Sequence, residues 1–474
     1  MRQMLGADEY HLYNEASYQP QHTLKSMLLD PAGAHEPITC ERVRAWAHDV
    51  LPHIDPLRWQ LAGRPIGLGH RFLLDRPHLD LDYHVRQATA AAPGEREQLG
   101  EVLGRIMAGR LDRSRPLWQL WFVDGLAGGR VALVWKLHHA LADGGGCVEL
   151  FDAAFQHAPE ERPEVPPEQP PNDPPPRRAD LVRVGWRTIP PRVRRFPGLV
   201  YRSLRAARIG SRRRKQGIPG MARPFEAPET RLNRPFTPNR MCVWTSVPFA
   251  DISAVRKALD CTVNDVFVAV CSGALRAYLE RHGELPDKSL ITNIPVSIRT
   301  DDDRGMFGNR VSVWYVSLAT DVADPVERLA AVKANTRAAR DHTEARRSER
   351  LLFEWQDYDW LFKPVVMMGH VSTRLAKRPA YNTIVSNVRG PDPLWFDGAE
   401  ILEIQSMGQL AAGLGLNLTS WTYRGQMNIG LVACPEHVPD LWSLADGIAP
   451  ALAELKAAAL GQPTSASARS LAHG

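Results

Sequence analysis

Apolar and polar residues follow two periods along this chain, one typical of strands and one typical of helices. Strand-like runs cover residues 79–86, 119–123, 131–137, 241–247, 289–298, 310–318, 382–389, 400–407 and 413–433, the last divided at 423–425. Helix-like spacing covers residues 94–110, 147–155, 248–259, 262–282, 324–342, 350–377 and 438–459. Because the two kinds of run alternate, the sequence predicts an α/β protein.

The order of these elements divides the chain into four segments. Residues 1–157 and 236–462 each contain strands and helices, residues 158–235 are first Pro-rich and then basic, and residues 463–474 are expected to form a loose tail. A chain of 474 residues is too long for one ordinary core. We therefore expect two α/β domains joined by a long crossover linker.

The composition is that of a soluble globular protein, with 44% hydrophobic and 23% charged residues. No run approaches the ~18 consecutive apolar residues of a membrane span, and the first ten residues lack the apolar core of a secretory signal. The six cysteines form no Cys-x-x-Cys pair, which argues against a disulfide framework and a zinc site. We expect a reducing, cytoplasmic location.

The net charge of +5 conceals a strongly basic part of the linker. Residues 177–215 contain fourteen Lys and Arg against one acidic residue, a net charge of +13, so the remainder of the chain carries −8. Residues 158–176 are rich in Pro and Glu, a composition that forms no packed core. Aromatic and aliphatic residues, among them Trp186 and Tyr201, are interspersed with the arginines.

Three interpretations of this basic segment stay open. Arginine interspersed with apolar residues suits the surface of an anionic membrane or a lipid droplet. A solvated linker helix without a partner has the same composition. Nucleic acid is the weakest of the three, because no motif of a nucleic-acid-binding fold accompanies the basic residues.

Candidate chemistry is concentrated in one short turn between a strand and a helix. His138 and His139 follow the apolar run 131–137, and Asp143 precedes three glycines that begin with Gly144. Such a turn can hold a titratable side chain rigidly while glycines let other groups come close. Histidine has an ordinary pKa near ~6.5, so it can take up and return a proton at cytosolic pH.

The spacing leaves the role of Asp143 open. Its carboxylate could orient a histidine ring, as in a Ser-His-Asp triad, or it could stabilise the turn by pairing with a cation elsewhere. Packed histidines without a role are an alternative. Metal binding is a further alternative, although adjacent histidines on a turn are poor chelators. Proton transfer by the histidine pair is the interpretation that we favour, without a metal.

This turn resembles the His-His-x-x-x-Asp-Gly motif of acyl-CoA-dependent acyltransferases with a chloramphenicol-acetyltransferase-like fold, a superfamily that includes peptide synthetase condensation domains. The chain is most similar to the bacterial wax ester synthase/diacylglycerol acyltransferase family. Further runs support the resemblance in the order expected for that family, namely residues 111–118, 262–266, 295–299, 307–309, 386–391 and 415–418. Residues 11–25 and the tail from Thr464 match no such run.

The resemblance implies two such domains with a substrate tunnel between them and the histidine turn at its middle. It implies acyl-CoA as a substrate, without a cofactor, and diacylglycerol or a long-chain alcohol as acceptor. His139 would be the general base and His138 would support it. Asp143 would be structural and paired with Arg299.

Residues outside the turn carry further expectations. Asn264, at the start of the helix that Thr262 is expected to cap, is a candidate donor to the oxyanion, or it only ties the helix to the tunnel wall. Residues of the fold or the tunnel entrance, rather than of the chemistry, are Pro116, Leu117 and Trp118, and those of a turn are Asn387, Gly390 and Pro391.

Two competing functions remain. One is the same chemistry with another donor or acceptor, such as a carrier-protein thioester passed to a polyketide or sugar hydroxyl. The other is a catalytically silent lipid-binding scaffold, which the presence of His139, Asp143 and Arg299 together disfavours.

Overall fold

Two six-stranded sheets and a small three-stranded sheet, with flanking helices, form the described part of the computed structural model, which comprises residues 2–63, 69–76, 78–161, 173–174, 177–223, 225–234, 237–300, 307–375, 379–411 and 413–461. The strands are β1 Arg2–Gln3, β2 His22–Asp30, β3 Trp59–Leu61, β4 Phe72–Asp75, β5 Val85–Thr89, β6 Trp118–Asp124, β7 Val131–His138, β8 Met241–Pro248, β9 Ile291–Ser297, β10 Val311–Ser317, β11 Thr383–Arg389, β12 Trp395–Phe396, β13 Ala399–Met407, β14 Leu416–Tyr423 and β15 Gln426–Ala433. The helices are α1 Gly6–Asn14, α2 Cys40–Val50, α3 Leu81–His84, α4 Arg96–Ala108, α5 Gly144–Ala154, α6 Arg178–Lys215, α7 Phe249–Ala258, α8 Val263–Arg281, α9 Pro325–Arg346, α10 Leu351–Gln356, α11 Asp359–Leu375, α12 Leu441–Asp446 and α13 Ile448–Ala459. The predicted α/β class is confirmed.

The two large sheets divide between the halves of the chain with one exception. The first has the strand order β12-β13-β2-β7-β6-β5, and the second has the order β10-β9-β11-β14-β15-β8. Strands β12 and β13 belong by sequence to the C-terminal segment, yet β13 pairs antiparallel with β2 and places Ile404 opposite Met27. The core of the first half accordingly contains Phe396 and Ile401. The C-terminal chain therefore completes the N-terminal sheet.

Helix α4 joins the halves a second time by packing directly on the backbone at the start of β8. A Cβ atom on Gly104 would lie 2.4 Å from the carbonyl oxygen of Arg240, and one on Gly100 would lie 2.9 Å from that of Cys242. Glycine at these two positions, one helical turn apart, permits the close approach. The two halves are thus in van der Waals contact on the α4 side as well as through β13.

The crossover contains one long helix that is packed against the second half. Helix α6 has 38 residues, and its Leu199 and Ala206 are buried with Leu351 and Tyr358. The indole Nε1 of Trp355 donates to Ser203 Oγ at 2.9 Å. The Pro- and Glu-rich residues before α6 lie largely outside the described residues, and so does the predicted loose tail at 463–474.

An apolar stripe of α6 faces away from the protein. Its members, Trp186, Ile189, Val193, Tyr201 and Leu204, are exposed and recur at mostly helical spacing. Helix α11 is exposed in the same way at Trp360, Val365 and Met368. The rings of Phe196 and Trp360 are 6.3 Å apart, so the two helices meet at this surface.

No described helix is by itself long and apolar enough to cross a membrane. Helices α7 and α8 pass that test only as a pair bent by 106°.

Several predicted boundaries were wrong for local reasons. The run 79–86 is not one strand, because Asp80 accepts from the backbone N of Tyr83 and caps the helical turn α3, so the strand begins at Val85. The glycines after Asp143 form the first turn of α5. The helix predicted at 350–377 is interrupted between α10 and α11, and the one predicted at 438–459 is interrupted at Gly447.

The helices and strands before residue 79 were all missed, among them helix α1, strand β2 and helix α2. Helix α1 buries Asp8, Glu9 and Asn14, so it lacks the polar face that marks most surface helices. Strand β2 is buried along nearly its whole length, including His22 and Lys25, and therefore shows no alternation. Helix α2 also was not predicted. The first two of these elements border the candidate site.

Candidate active site

His139 lies in a tight turn directly after the end of β7. Its backbone N donates to the carbonyl of Gln21 at 2.8 Å, and Leu141 N donates to the carbonyl of His138 at 3.0 Å, which closes the turn. Helix α5 then begins at Gly144. The predicted strand, turn and helix around the histidine pair are confirmed.

A cavity of about 390 Å³ lies between the two halves at this turn. Strands and helices of both halves line it, and its lining includes His11, Lys25, His139, Asn309 and Trp421. The lining also includes apolar and aromatic side chains of α1, β10, α10 and α11, namely Tyr10, Tyr315, Leu352, Phe362 and Val366. The position of His139 in this wall lets its ring meet a bound substrate.

A chain of hydrogen bonds sets the tautomer of His139. Asn309 Nδ2 donates to Asp8 Oδ1 at 2.8 Å and to the carbonyl of His139 at 2.7 Å. With its amide nitrogen committed to two acceptors, Asn309 presents Oδ1 to His139 Nδ1 at 3.0 Å. The proton of the neutral ring is therefore assigned to Nδ1, and Nε2 keeps its lone pair as a base requires.

His139 is neutral at neutral pH. Burial, and next to it the positive charge of Lys25, lowers its pKa to about 4. The ring stacks on that of His11, with centroids 4.4 Å apart and planes inclined by 20°. His11 also has a pKa well below the ordinary value because it is buried. A proton received by His139 is consequently given up readily.

Asp143 joins the motif turn to the second half of the chain. Its Oδ1 accepts from Gly146 N at 2.8 Å, which caps α5, and from Arg299 Nη2 at 3.0 Å. Its Oδ2 accepts from Arg310 N at 3.0 Å. Arg299 Nη2 also donates to the carbonyl of Gly308 at 2.9 Å. The pairing expected between Asp143 and Arg299 is present, and in the structure Asp143 acts as a tie between elements.

The residue after Asp143 has no room for a side chain. A Cβ atom on Gly144 would lie 2.7 Å from Val388 Cγ2, a branched side chain of β11 with little freedom to move. Gly144 also lines the cavity. A larger residue here would separate α5 from β11 beside His139.

The side chain of His138 lies on the face of the first sheet opposite the cavity, in a buried cluster with Glu15 and His22. Its Nδ1 accepts from Ala140 N at 3.0 Å, so its proton is assigned to Nε2, which faces Glu15 Oε1 at 3.8 Å. His22 Nε2 lies 3.2 Å from the same oxygen. Burial lowers the pKa of His138 and lowers that of His22 to about 3, so both rings are neutral at neutral pH.

These three side chains are the group among the described residues with the spacing of a metal site, since their ligand atoms lie within 4.8 Å of one another. Arg113 Nη2 lies 2.6 Å and Arg110 Nη2 lies 3.7 Å from the second carboxylate oxygen of Glu15. A divalent cation would be repelled by both guanidinium groups. We therefore interpret the cluster as polar support for the motif turn.

Lys25 places a buried positive charge in the cavity wall. Its Nζ donates to Ser406 Oγ at 2.6 Å and to Thr23 Oγ1 at 3.0 Å, and it lies 4.9 Å from the centre of the Trp421 ring. No carboxylate of the described residues pairs with it. Burial lowers the pKa of this amine. Negative charge that develops in the cavity would be stabilised by it.

Comparison with known proteins gives a consistent family. The wax ester synthase/diacylglycerol acyltransferase catalytic domain matches residues 4–267, and the C-terminal domain of the same family matches residues 307–456. A Mycobacterium tuberculosis protein provisionally named a diacylglycerol O-acyltransferase is 32% identical over 98% of this chain and 92% of its own length. The chain belongs to the wax ester synthase/diacylglycerol acyltransferase family.

Solved structures agree with this family and fold. The wax ester synthase/diacylglycerol acyltransferase from Marinobacter aquaeolei VT8 is 25% identical and has a TM-score of 0.69, with 97% of this chain and 100% of that chain covered. The starter condensation domain of rhizomide synthetase, in complex with C8-CoA and Leu-SNAC, shares the fold at 15% identity and a TM-score of 0.57, with 97% and 94% covered. The predicted family and two-domain chloramphenicol-acetyltransferase-like fold are confirmed, and the chain is an acyltransferase of this family.

The three residues Pro116, Leu117 and Trp118 lie at the start of β6 and outside the cavity lining. The carbonyl of Leu117 accepts from His138 N at 2.9 Å. Trp118 is fully buried, and its indole donates to the carbonyl of Leu57. In the structure these residues support the motif turn from outside the cavity.

The turn predicted at Asn387 needs correction, and the oxyanion role of Asn264 stays a prediction. Asn387 does not lie in a turn: it is inside β11 and accepts from Ser420 Oγ at 2.9 Å, while Gly390 and Pro391 follow the end of that strand. Asn264 lies in the first turn of α8, which Thr262 caps as predicted. The described lining of the cavity does not include Asn264, so the structure gives no support to its predicted oxyanion role.

We expect Asn309→Ala to lower kcat by about 10²-fold, the lower end of the ~10²–10⁴-fold contributed by general acid–base catalysis. Without the Oδ1 acceptor, the ring of His139 is free to place its proton on Nε2. The measurement is kcat and KM for acyl transfer, with circular dichroism as the check on folding. An unchanged kcat in a folded variant would show that Asn309 does not orient the base.

We expect Asp143→Asn and Arg299→Ala to lower the free energy of unfolding by about 3–5 kcal/mol, because each removes one partner of a largely buried ion pair. Activity should fall with stability. Denaturant titration of each variant measures its free energy of unfolding. A matched control is Arg96→Ala, which breaks an exposed pair with Asp446 and should cost no more than ~1 kcal/mol. A variant that keeps its stability but loses activity would place its residue in the chemistry.

Proposed function

We propose that this protein transfers a long-chain acyl group from acyl-CoA to the hydroxyl of diacylglycerol, and also to that of a long-chain alcohol. The observation that carries the proposal is the lone pair of His139 Nε2, which the bond from Nδ1 to Asn309 leaves available in the wall of the cavity. The classes of acyl donor and acceptor are inferred from the family to which the chain belongs.

The proposed reaction needs no covalent acyl-enzyme. His139 Nε2 takes the proton of the acceptor hydroxyl as that oxygen attacks the thioester carbonyl. The tetrahedral oxyanion then expels the sulfur, which breaks the carbon–sulfur bond. The imidazolium returns the proton to the CoA thiolate, so an ester and free CoA leave. The low pKa of His139, about 4, favours this return.

Lys25 is the charged group best placed to stabilise the oxyanion. It lines the same cavity as His139 and is close enough to lower the pKa of that ring. Two of its three donor positions are occupied by Thr23 and Ser406. The remaining N–H is available to a substrate.

We further propose that the enzyme works at the surface of an anionic membrane, the inner face of the plasma membrane or a lipid body. Diacylglycerol and fatty alcohols partition into lipid, so an acceptor must be reached there. Support comes from α6, which combines the basic residues with the exposed apolar stripe described above. Helix α11 exposes Trp360 and Met368 while its Phe362 and Val366 line the cavity.

We expect His139→Ala to lower acyl transfer by about 10²–10⁴-fold while the protein stays folded. One imidazole must both take up and return the proton, and no other group in the motif turn replaces it. The assay offers long-chain acyl-CoA with diacylglycerol or a fatty alcohol and reads the ester and free CoA. Transfer at the wild-type rate would make the motif structural and the mechanism wrong.

We expect the triple substitution Arg212→Gln, Arg214→Gln and Lys215→Gln to reduce binding to anionic vesicles and activity on diacylglycerol within them. These side chains are exposed, whereas Arg213 is partly buried and is left in place. Attraction of this kind is screened within ~8–10 Å at physiological salt, so binding should weaken as salt rises. Vesicle co-sedimentation and activity on a soluble short-chain alcohol measure the two effects separately.

The matched control removes three exposed charges elsewhere, with Arg256→Gln, Lys257→Gln and Lys288→Gln. This variant should bind vesicles like the wild type. Equal losses in both triple variants would indicate a general charge effect and would contradict docking through α6.

A further inference from the structure

Gln21 carries an unpaired hydrogen-bond donor in the wall of the cavity beside His139. The residue directly precedes β2, and its backbone carbonyl accepts from the backbone N of His139. Its side chain is 1% exposed and lines the cavity. The amide oxygen Oε1 lies 3.2 Å from His11 Nδ1, whereas the amide nitrogen Nε2 has no partner among the described residues. A buried N–H group without an acceptor is unfavourable, so this donor favours a ligand that supplies one.

His11 fixes the orientation of this amide. Because burial keeps the pKa of His11 well below its usual value, the ring is neutral and carries a single proton. That proton is assigned to Nδ1, which donates to Gln21 Oε1, so the amide nitrogen is the end left without a partner. Both residues lie within the segment 11–25, which matches no motif run of the family. The family motifs therefore do not account for this pair.

The amide lies beside the reacting atoms rather than among them. The rings of His11 and His139 are stacked, with centroids 4.4 Å apart. The lone pair of His139 Nε2 lies in the plane of its ring, so the hydroxyl that it activates approaches the edge of that ring. Gln21 is bonded to the neighbouring ring and is therefore displaced toward the face of the base. A part of the substrate adjacent to the reacting hydroxyl is what this amide can meet.

Gln21 and Lys25 address different parts of a bound substrate. Gln21, Thr23 and Lys25 all line the cavity, as alternate residues on one face of a strand do. Four residues separate Gln21 from Lys25, about 13 Å of backbone at ~3.3 Å per residue. Lys25 is the group proposed for the oxyanion, which leaves the amide of Gln21 for another oxygen.

We propose that Gln21 selects acceptors with an ester carbonyl next to the reacting hydroxyl, and so favours 1,2-diacylglycerol over a long-chain alcohol. This inference rests on the proposed function and narrows it. In 1,2-diacylglycerol the carbon next to the hydroxyl-bearing carbon carries an ester, whose carbonyl can accept from Gln21 Nε2. A long-chain alcohol has no such oxygen and leaves the donor buried and unpaired. A site built to hydrogen-bond a substrate group discriminates strongly against a substrate that lacks it.

The kinetic test compares three acceptors with one acyl-CoA, namely 1,2-dioctanoylglycerol, its ether analogue 1,2-dioctylglycerol and a long-chain alcohol. The ether keeps the hydroxyl and both chains but lacks the ester carbonyls. We expect the wild type to have a kcat/KM at least about 10-fold higher for the ester than for the ether, because only the ester satisfies the buried donor. Gln21→Met keeps the length of the side chain, and it should lower the ester-to-ether and ester-to-alcohol ratios by about 10-fold or more.

Two further variants distinguish recognition from support of the fold. Gln19 is fully buried two residues earlier and outside the cavity lining, and its Nε2 donates to the carbonyl of Asn14 at 3.3 Å. Gln19→Met is therefore the matched control, and it should leave both ratios unchanged even where it lowers stability. His11→Phe keeps a ring to stack on His139 but removes the bond to Gln21. We expect it to lower both ratios, as Gln21→Met does.

A binding test separates this proposal from the proposed function. Calorimetry with dioctanoylglycerol and dioctylglycerol in detergent micelles requires no acyl donor and no turnover. We expect the wild type to bind the ester at least about 10-fold more tightly than the ether, and Gln21→Met to bind the two equally. An ester preference that persists in a protein that acylates none of the three acceptors would retain Gln21 as a recognition group while refuting the proposed function.

Three results would overturn the assignment. Equal losses of kcat/KM for all three acceptors in Gln21→Met would place the amide at the oxyanion or in the support of the fold. An unchanged ester-to-ether ratio in a folded Gln21→Met variant would show that the amide contacts no part of the acceptor. Equal affinity of the wild type for the ester and the ether would show that the carbonyl is not recognised.

Discussion

The carboxylate of Asp143 is the contact on which the arrangement of the site depends. It is almost fully buried, and its two oxygens accept from the start of α5, from Arg299 and from the backbone of Arg310. Arg310 follows Asn309 directly, so the contact that fixes the second half of the chain also places the amide beside His139. A buried carboxylate keeps its charge only when such donors surround it. The orientation of the base is therefore a consequence of how the two halves are tied together.

Local pattern predicted the parts of the site that follow one another in sequence. The strand, the turn and the helix around the histidines are adjacent in the chain, whereas Arg299 was expected as the partner of Asp143 only from the resemblance to the acyltransferase family. The pairing of His139 with Asn309 spans 170 residues, and no periodicity reports it. Asp8, His11 and Lys25 escaped notice because α1 and β2 are buried on nearly all sides. Hydrophobic periodicity detects elements that have one face in the core and one face in solvent. The second face of α1 and of β2 contacts the site rather than solvent, so this periodicity is absent.

Asn264 shows what local pattern cannot establish. An amide donor at the positive end of a helix dipole has a favourable charge, but neither feature gives information on what lies in front of the helix. Helix α8 does start at the predicted cap, and Asp265 binds Thr336 of α9. Lys25, on a strand that local pattern did not predict, supplies the positive charge in the cavity wall instead.

The two buried lysines of the first sheet give it a common electrostatic character. Lys25 and Lys136 line different cavities, and neither pairs with a carboxylate of the described residues. The histidines between them, His22, His138 and His139, are kept neutral by burial. The two lysines thus flank histidines that are themselves neutral, and an anionic substrate would interact favourably with both lysines.

The return of β13 to the first sheet also has a consequence for the order of folding during synthesis. Strand β2 can pair with β7 once residue 138 has left the ribosome, but its other edge is covered only when residues up to Met407 have followed. At ~5–20 residues per second, roughly 270 further residues take about 13–54 s. An open edge of that duration is a surface on which other chains can pair. A chaperone that shields nascent sheet edges would therefore matter more for this protein than for one whose halves are complete in themselves.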